Sequence, residues 1–295
     1  MTRVLAAIDC SAAARPVLSA ANAVADLLGS DVDAVHVRER AWATAQAAAD
    51  AAGVDLRLLS GRALERIIQE AGQPDVVAVV LGARATPGGA RPAGHVAAHI
   101  ATSSRKPVVV VPPECEVPVR LRRILVPLEA VMATASAVDS IVVAAATGGA
   151  EIVVVHVMTE QGLPPFTDQP QHEVEAWTNE FRRRYCDHPE VRLEVRIGVP
   201  RERVLAFAEE MQADAVILAW SQRLAAERAA LVRSVLEHSR IPVILVPVAR
   251  TAKLAPTRSG RRRGLGISTS VGPIRLRTLP GGHRRQANAS RLRPN

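Results

Sequence analysis

The chain has 295 residues, 48% of them hydrophobic and 2% aromatic, with a formal net charge of +8. That length and apolar content suffice for two ordinary cores packed with Val, Leu, Ile and Ala. Three cysteines (Cys10, Cys115 and Cys186) lie far apart with no CxxC pair. This excludes a disulfide framework and a paired-cysteine metal site, and fits reduced thiols in a cytoplasmic protein.

The first half alternates strand and helix. A strand is expected over Val4 to Ile8, a helix over Ala13 to Leu28, and a strand over Val32 to Val37. A short helix from Trp42 to Ala52 follows, then a strand (Val54 to Leu58) and a helix (Ala63 to Ala71). The half closes with a strand (Val76 to Leu81), a glycine-rich loop, a helix (Gly94 to Ser103) and a strand (Val108 to Val111). The strands are continuous Val/Ile/Leu runs, as expected when helices cover both faces of a parallel sheet. Strand–helix alternation at this spacing makes a doubly wound α/β sheet the expected fold.

The same plan returns from Arg123 to Val248. VLAAID (Val4 to Asp9) recurs as ILVPLE (Ile124 to Glu129), and Val35-His36-Val37 as Val155-His156-Val157, both displaced by 120 residues. Gly61 then pairs with Gly198, Gly82 with Ala219, and PVVVVP at Pro107 to Pro112 with PVILVP at Pro242 to Pro247. The larger displacement of these later matches locates an insertion after the second strand of the second half. It contains Phe166, Trp177, Phe181 and Tyr185, and a charged helix running to Arg184, capped by Thr167 or Asp168. Such an aromatic cluster is usually local packing; the other reading is a surface for a protein partner at residues 160–185. Tandem repetition gives domains at 1–115 and 120–249 and a tail at 250–295.

The charge is uneven. Residues 250–295 hold 12 Lys/Arg and no Asp or Glu, leaving 25 basic against 29 acidic residues before them. The tail lacks a helical or strand period and is rich in Arg, Gly, Ser and Pro, so disorder is expected. Any nucleic acid it holds would be held weakly and without regard to sequence, since no aromatic is present to stack on a base. No membrane span is expected. The longest apolar stretch, Ile141 to Met158, is broken by Gly148-Gly149 and Glu151 and reads as helix end, turn and strand. The apolar run after Arg3 is cut by Asp9, so no secretory signal is expected.

In a doubly wound sheet, ligands sit beyond the carboxyl ends of the strands where strand order reverses. Asp9 ends the first strand, where a carboxylate can accept hydrogen bonds from a base amino group or a sugar hydroxyl. The loop after the fourth strand supplies Gly82, Arg84, Gly88, Gly89, Arg91 and Gly94. Its glycines let backbone N–H groups face a phosphate, and the helix starting near Gly94-His95 offers unpaired N–H groups and the positive end of its dipole.

These residues resemble the universal stress protein family, in tandem. The resemblance rests on VLAAIDCS at the start, Val35-His36-Val37, LGAR at Leu81 to Arg84, GHV at Gly94 to Val96 and KPVVVVPP closing the half. It covers about Thr2 to Val248, and RPAGHV and WSQ resemble an actinobacterial tandem subgroup. It implies two five-stranded parallel sheets of the Rossmann-like, adenine nucleotide alpha hydrolase type, packed as a pseudo-dimer with their last strands meeting. It also implies an adenine nucleotide, ATP, held in the first half by Asp9, Val37, Gly82, Arg84, Gly88, Gly89, Gly94, His95 and Val96. Nucleotide-binding members carry a G-x-x-G, nine-residue gap, G-S/T motif. Here Ala85 stands at the second glycine, the gap is one residue shorter, His95 replaces Ser or Thr, and Cys10 replaces the glycine after the aspartate.

The second half departs further, with Glu129 for the aspartate, Ala219 for the first glycine and Ala229-Ala230 for the Gly-Ser pair. Ala where close backbone approach is needed weakens a phosphate cradle. Trp220-Ser221-Gln222 reads as packing at the strand end, or else as a different small-molecule pocket. His36 and His156 read as satisfied core histidines. His95 and His99 lie one turn apart, without a third metal ligand. No nucleophile, base and orienting group can be assembled from the sequence. The reading is therefore a non-catalytic regulatory module, slow ATP hydrolysis staying open, that binds adenine nucleotide and forms homodimers. A nucleotide-free interaction scaffold and a weak nucleic-acid binder are the alternatives.

Overall fold

In the computed structural model, residues 1–38, 42–83, 94–159, 170–223 and 229–248 are described. The first half runs β1 (Arg3–Ala7), α1 (Ala14–Leu28), β2 (Asp31–Val37), α2 (Trp42–Ala51), β3 (Leu56–Leu59), α3 (Ala63–Ala71), β4 (Val76–Gly82), α4 (His95–Ser103) and β5 (Val108–Val111). The second runs β6 (Arg123–Pro127), α5 (Met132–Thr147), β7 (Glu151–Met158), α6 (Pro170–Tyr185), β8 (Arg192–Ile197), α7 (Pro200–Glu210), β9 (Ala215–Trp220), α8 (Ala230–His238) and β10 (Val243–Pro247). The expected elements are present to within a residue or two. The largest discrepancy is the start of β3. Gly53 adopts φ +67° and the Val54 N–H closes back onto the Ala49 carbonyl at 3.0 Å, so Val54 belongs to the end of α2.

The strands form one ten-stranded sheet in the order β3-β2-β1-β4-β5-β10-β9-β6-β7-β8. The two five-stranded units, whose last strands the resemblance has meeting, are thus joined edge to edge into one sheet. Each half is parallel throughout and doubly wound, and the junction of β5 with β10 is antiparallel: Val110 faces Val243, Val109 faces Ile244 and Val108 faces Leu245. Residues Met1–Thr251 make one compact unit. The tail expected to be disordered lies outside the described residues. Among those residues no helix is long and apolar enough to cross a membrane.

Both faces of the sheet are covered, which is why its strands read as unbroken apolar runs. Val4, Ala6 and Ile8 of β1 and its exit join Ile124, Val126 and Leu128 in a core beneath α1, α2 and α5. Leu5 and Leu125 point the other way, into a core with Ile67, Ile100, Phe207 and Val235 from α3, α4, α7 and α8. Each core is continuous across the β5–β10 junction, where Val109 and Ile244 fall on one face and Val110 and Val243 on the other. All four are at most 2% exposed.

The repeated glycines Gly61 and Gly198 precede α3 and α7 with φ +117° and +137°. Both dihedrals lie where L side chains are strained. Behind Gly198 a Cβ would in addition meet Arg203 Nε at 2.8 Å, whereas at Gly61 the nearest atom, of Arg66, is 3.4 Å away and leaves ordinary contact.

Because Ile244 is fully buried at the junction, Ile244→Ala should lower the unfolding free energy by about 2–5 kcal/mol. Urea denaturation of the full chain followed by circular dichroism checks this.

Candidate functional site

Parallel pairing brings the carboxyl ends of β1, β2 and β4 level, with Ala7 beside Val35 and Leu81. Asp9 is exposed just beyond β1; its Oδ1 accepts hydrogen bonds from the Ser11 N–H (2.9 Å) and the Ser11 hydroxyl (2.5 Å). The carboxylate thus shapes the turn into α1 while its outer edge faces solvent. Val37 and Gly82, the last residues of β2 and β4, are half-buried. Beyond Gly82, the Ala83 N–H donates to the Val111 carbonyl (2.7 Å) and the Gly94 N–H to the Ala83 carbonyl (2.5 Å). That last bond places the start of α4 against the end of β4. Gly94 is the N-cap of α4 and has no side chain of its own to cap it, so His95 and Val96 begin the helix with their N–H groups at its positive pole. His95 and His99 are exposed and stack with centroids 6.2 Å apart. Arg84, Gly88, Gly89 and Arg91 lie outside the described residues. Among the described residues no three His, Cys, Asp or Glu side chains gather as a metal site requires.

The two repeated histidines make the same bond. His36 Nδ1 lies 2.9 Å from the Ile8 carbonyl and His156 Nδ1 2.8 Å from the Leu128 carbonyl, each tying the exit of a half's first strand to its second. A carbonyl only accepts, so Nδ1 carries the proton, and in the neutral ring Nε2 presents its lone pair. Their surroundings then diverge. Around His156 lie Trp177 and Phe181 of α6, with ring centroids 5.0 and 4.8 Å away, and Tyr185 packs tilted against Phe181 in turn. Phe181 is buried and Trp177 and Tyr185 half-buried, so the described aromatics of the insertion serve local packing; Phe166 and the caps Thr167 and Asp168 lie outside the described residues. Around His36, 2% exposed, Nε2 instead lies 3.7 Å from Cys10 Sγ. This pair escaped sequence reasoning, which treated the two residues separately. The available signal was His36 recurring as His156 while Cys10 became Ala130.

At the carboxyl ends of β6, β7 and β9 lies a cavity of about 840 Å³. Val155, Leu218 and Trp220 contribute apolar surface, and Glu129, Arg201 and Arg223 add charge. It includes Ala219, Ala229 and Ala230. Trp220 is 4% exposed and lines the cavity, whereas Gln222 points elsewhere. At φ +59° it donates from Nε2 to the Ala101 (3.3 Å) and Ser104 (2.5 Å) carbonyls at the end of α4. A second-half side chain therefore caps a first-half helix.

Residues 120–247 match the family model described as the Universal stress protein family, so the second half carries one domain of that family. The match falls on the half whose ligand motif departs further. Two solved structures share the fold. One is a universal stress protein from Archaeoglobus fulgidus DSM 4304, 17% identical, with 84% of this chain and 97% of that one covered and a TM-score of 0.59. The other is a functionally unknown protein from Pseudomonas aeruginosa PAO1, 13% identical, with 84% and 93% covered and a TM-score of 0.59. No curated protein sequence matches the chain.

Gln222→Ala should destabilise the protein by about 1–3 kcal/mol, since it leaves carbonyls at the end of α4 without their donor. Urea unfolding of wild type and variant measures the difference.

Proposed function

We propose that residues 1–115 and 120–249 are two copies of a universal-stress-type unit, and that the first holds an adenine nucleotide without catalysing its conversion. The observation that carries this reading is the start of α4. Gly94, an N-cap with no side chain of its own, is drawn onto the end of β4 by its bond to Ala83, with Asp9 at the end of the adjoining β1. A phosphate fits at such a terminus because backbone N–H groups and the helix dipole both favour an anion there. The N–H groups of Gly82, His95 and Val96 are assigned to phosphate, with Arg84, Gly88 and Gly89 completing the loop. Asp9 is assigned to a sugar hydroxyl or base amino group, and Val37 to the apolar wall beside the base.

In the second half the corresponding helix begins at Ala229-Ala230 and the strand exit carries Ala219. Methyl groups at those positions hinder close backbone approach to a phosphate, which favours the first half as the nucleotide's place. The role assigned is a cytoplasmic stress-response module in which nucleotide occupancy is the signal, with homodimer formation as a further expectation.

Calorimetric titration of ATP into the full chain should show about one equivalent bound with micromolar affinity, near −8 kcal/mol. Gly94→Val, which adds a branched side chain where the phosphate would approach, should abolish the heat, while Ala229→Val should leave it unchanged. Loss in the second variant but not the first would place the nucleotide in the second half. No binding by wild type at several temperatures would remove the reading.

A further inference from the structure

We infer that Cys10 is a hydroperoxide-reactive thiol, and that His36 is the base that activates it. His36 is 98% buried and its Nδ1–H is committed to the Ile8 carbonyl, so the Nε2 lone pair is fixed in direction and lies 3.7 Å from the Cys10 sulfur. The thiol, the base and the carbonyl that orients the base form a complete activated-nucleophile arrangement. Cys10 itself is only half-buried, at the surface where β1 gives way to α1. It lies just ahead of α1, whose N-cap Ala13 donates its N–H to the Ser11 hydroxyl (3.2 Å), and the positive end of the helix favours a thiolate. The Asp9 carboxylate is the opposing charge. Two donors from Ser11 already draw on it, which lessens its repulsion of a neighbouring anion.

The rest of the chain supplies contrasts. In the second half the histidine and its carbonyl bond are retained, but Ala130 replaces the cysteine and aromatic rings pack on the imidazole. The other two thiols are buried. Burial pushes the Cys115 thiol up to about 11 and also raises that of Cys186, so neither is poised to ionise.

His36 Nε2 takes the Cys10 S–H proton. The thiolate sulfur attacks one oxygen of a hydroperoxide, the S–O bond forms as the O–O bond breaks, and the departing oxygen leaves as water or an alcohol after taking up a proton. Sulfur is oxidised by two electrons to the sulfenic acid, and the peroxide is reduced by two. No bound nucleotide is required, so the inference stands apart from the nucleotide reading.

The test exposes the reduced full chain to limiting hydrogen peroxide, traps sulfenic acid with dimedone and maps the adducts by mass spectrometry. Cys10 should react at least tenfold faster than free cysteine under the same conditions, with Cys115 and Cys186 unlabelled. His36→Asn keeps a donor for the Ile8 carbonyl but removes the base, and should bring Cys10 down to the free-cysteine rate or below. Reaction of wild-type Cys10 no faster than free cysteine, or an unchanged rate in a folded His36→Asn protein, would overturn the inference. Should His36→Asn not fold, the comparison of wild-type Cys10 with free cysteine decides.

Discussion

The structure depends on one strand pairing. Each half ends in a strand that is apolar on both faces, Val108 to Val111 and Val243 to Val246, and exposed edges of that kind invite uncontrolled association. Antiparallel pairing of β5 with β10 satisfies both edges at once and leaves β3 and β8 at the ends of the sheet. It also makes both cores continuous across the junction, so that α1 packs near α5 and Gln222 can reach the end of α4.

The two ends of the strands then do different work. At their start, Arg3 and Arg123 tie neighbouring strands through carboxylates: Arg3 to Asp75 at 2.7 Å and Arg123 to Glu151 at 2.9 Å, with the Arg3 guanidinium holding the Asp75 carboxyl below its usual range. At their far ends, the same scaffold carries unlike surroundings. The first half keeps a glycine N-cap at the start of α4, a carboxylate and a thiol–imidazole pair. The second has alanines, a largely apolar cavity and an aromatic cover over its histidine. The shared bond from histidine to the exit of the first strand shows that this element serves the fold in both halves. What surrounds its second nitrogen is what differs between them.

Most of the fold was legible in the sequence because continuous Val/Ile/Leu runs separated by helix-length segments have few other solutions, and because the repeat stated each element twice. The junction was not legible in composition alone. The Val-rich closing strands gave no sign of their direction, and their meeting was implied by resemblance. The candidate site was legible in part. Asp9 and Gly94 stand where strand exits and a helix start were expected, since both are fixed by local chain geometry. Cys10 and His36 are 26 residues apart, and only the parallel pairing of β1 with β2 brings them together; no local pattern encodes that. The cavity of the second half was legible only in part: Trp220 and Ser221 line it, as one reading of that stretch allowed, but its other walls come from β6, β7, α7 and α8, and no glycine motif marks it.

Hydrogen–deuterium exchange of the full chain with and without ATP tests the proposed division of labour most directly. The account predicts slow exchange throughout β5 and β10 in both states, with ATP adding protection at residues 8–11 and 94–98 and none at 219–223 or 229–232. Protection of the second-half segments, or exchange of β5 and β10 as fast as that of the outer strands β3 and β8, would contradict it.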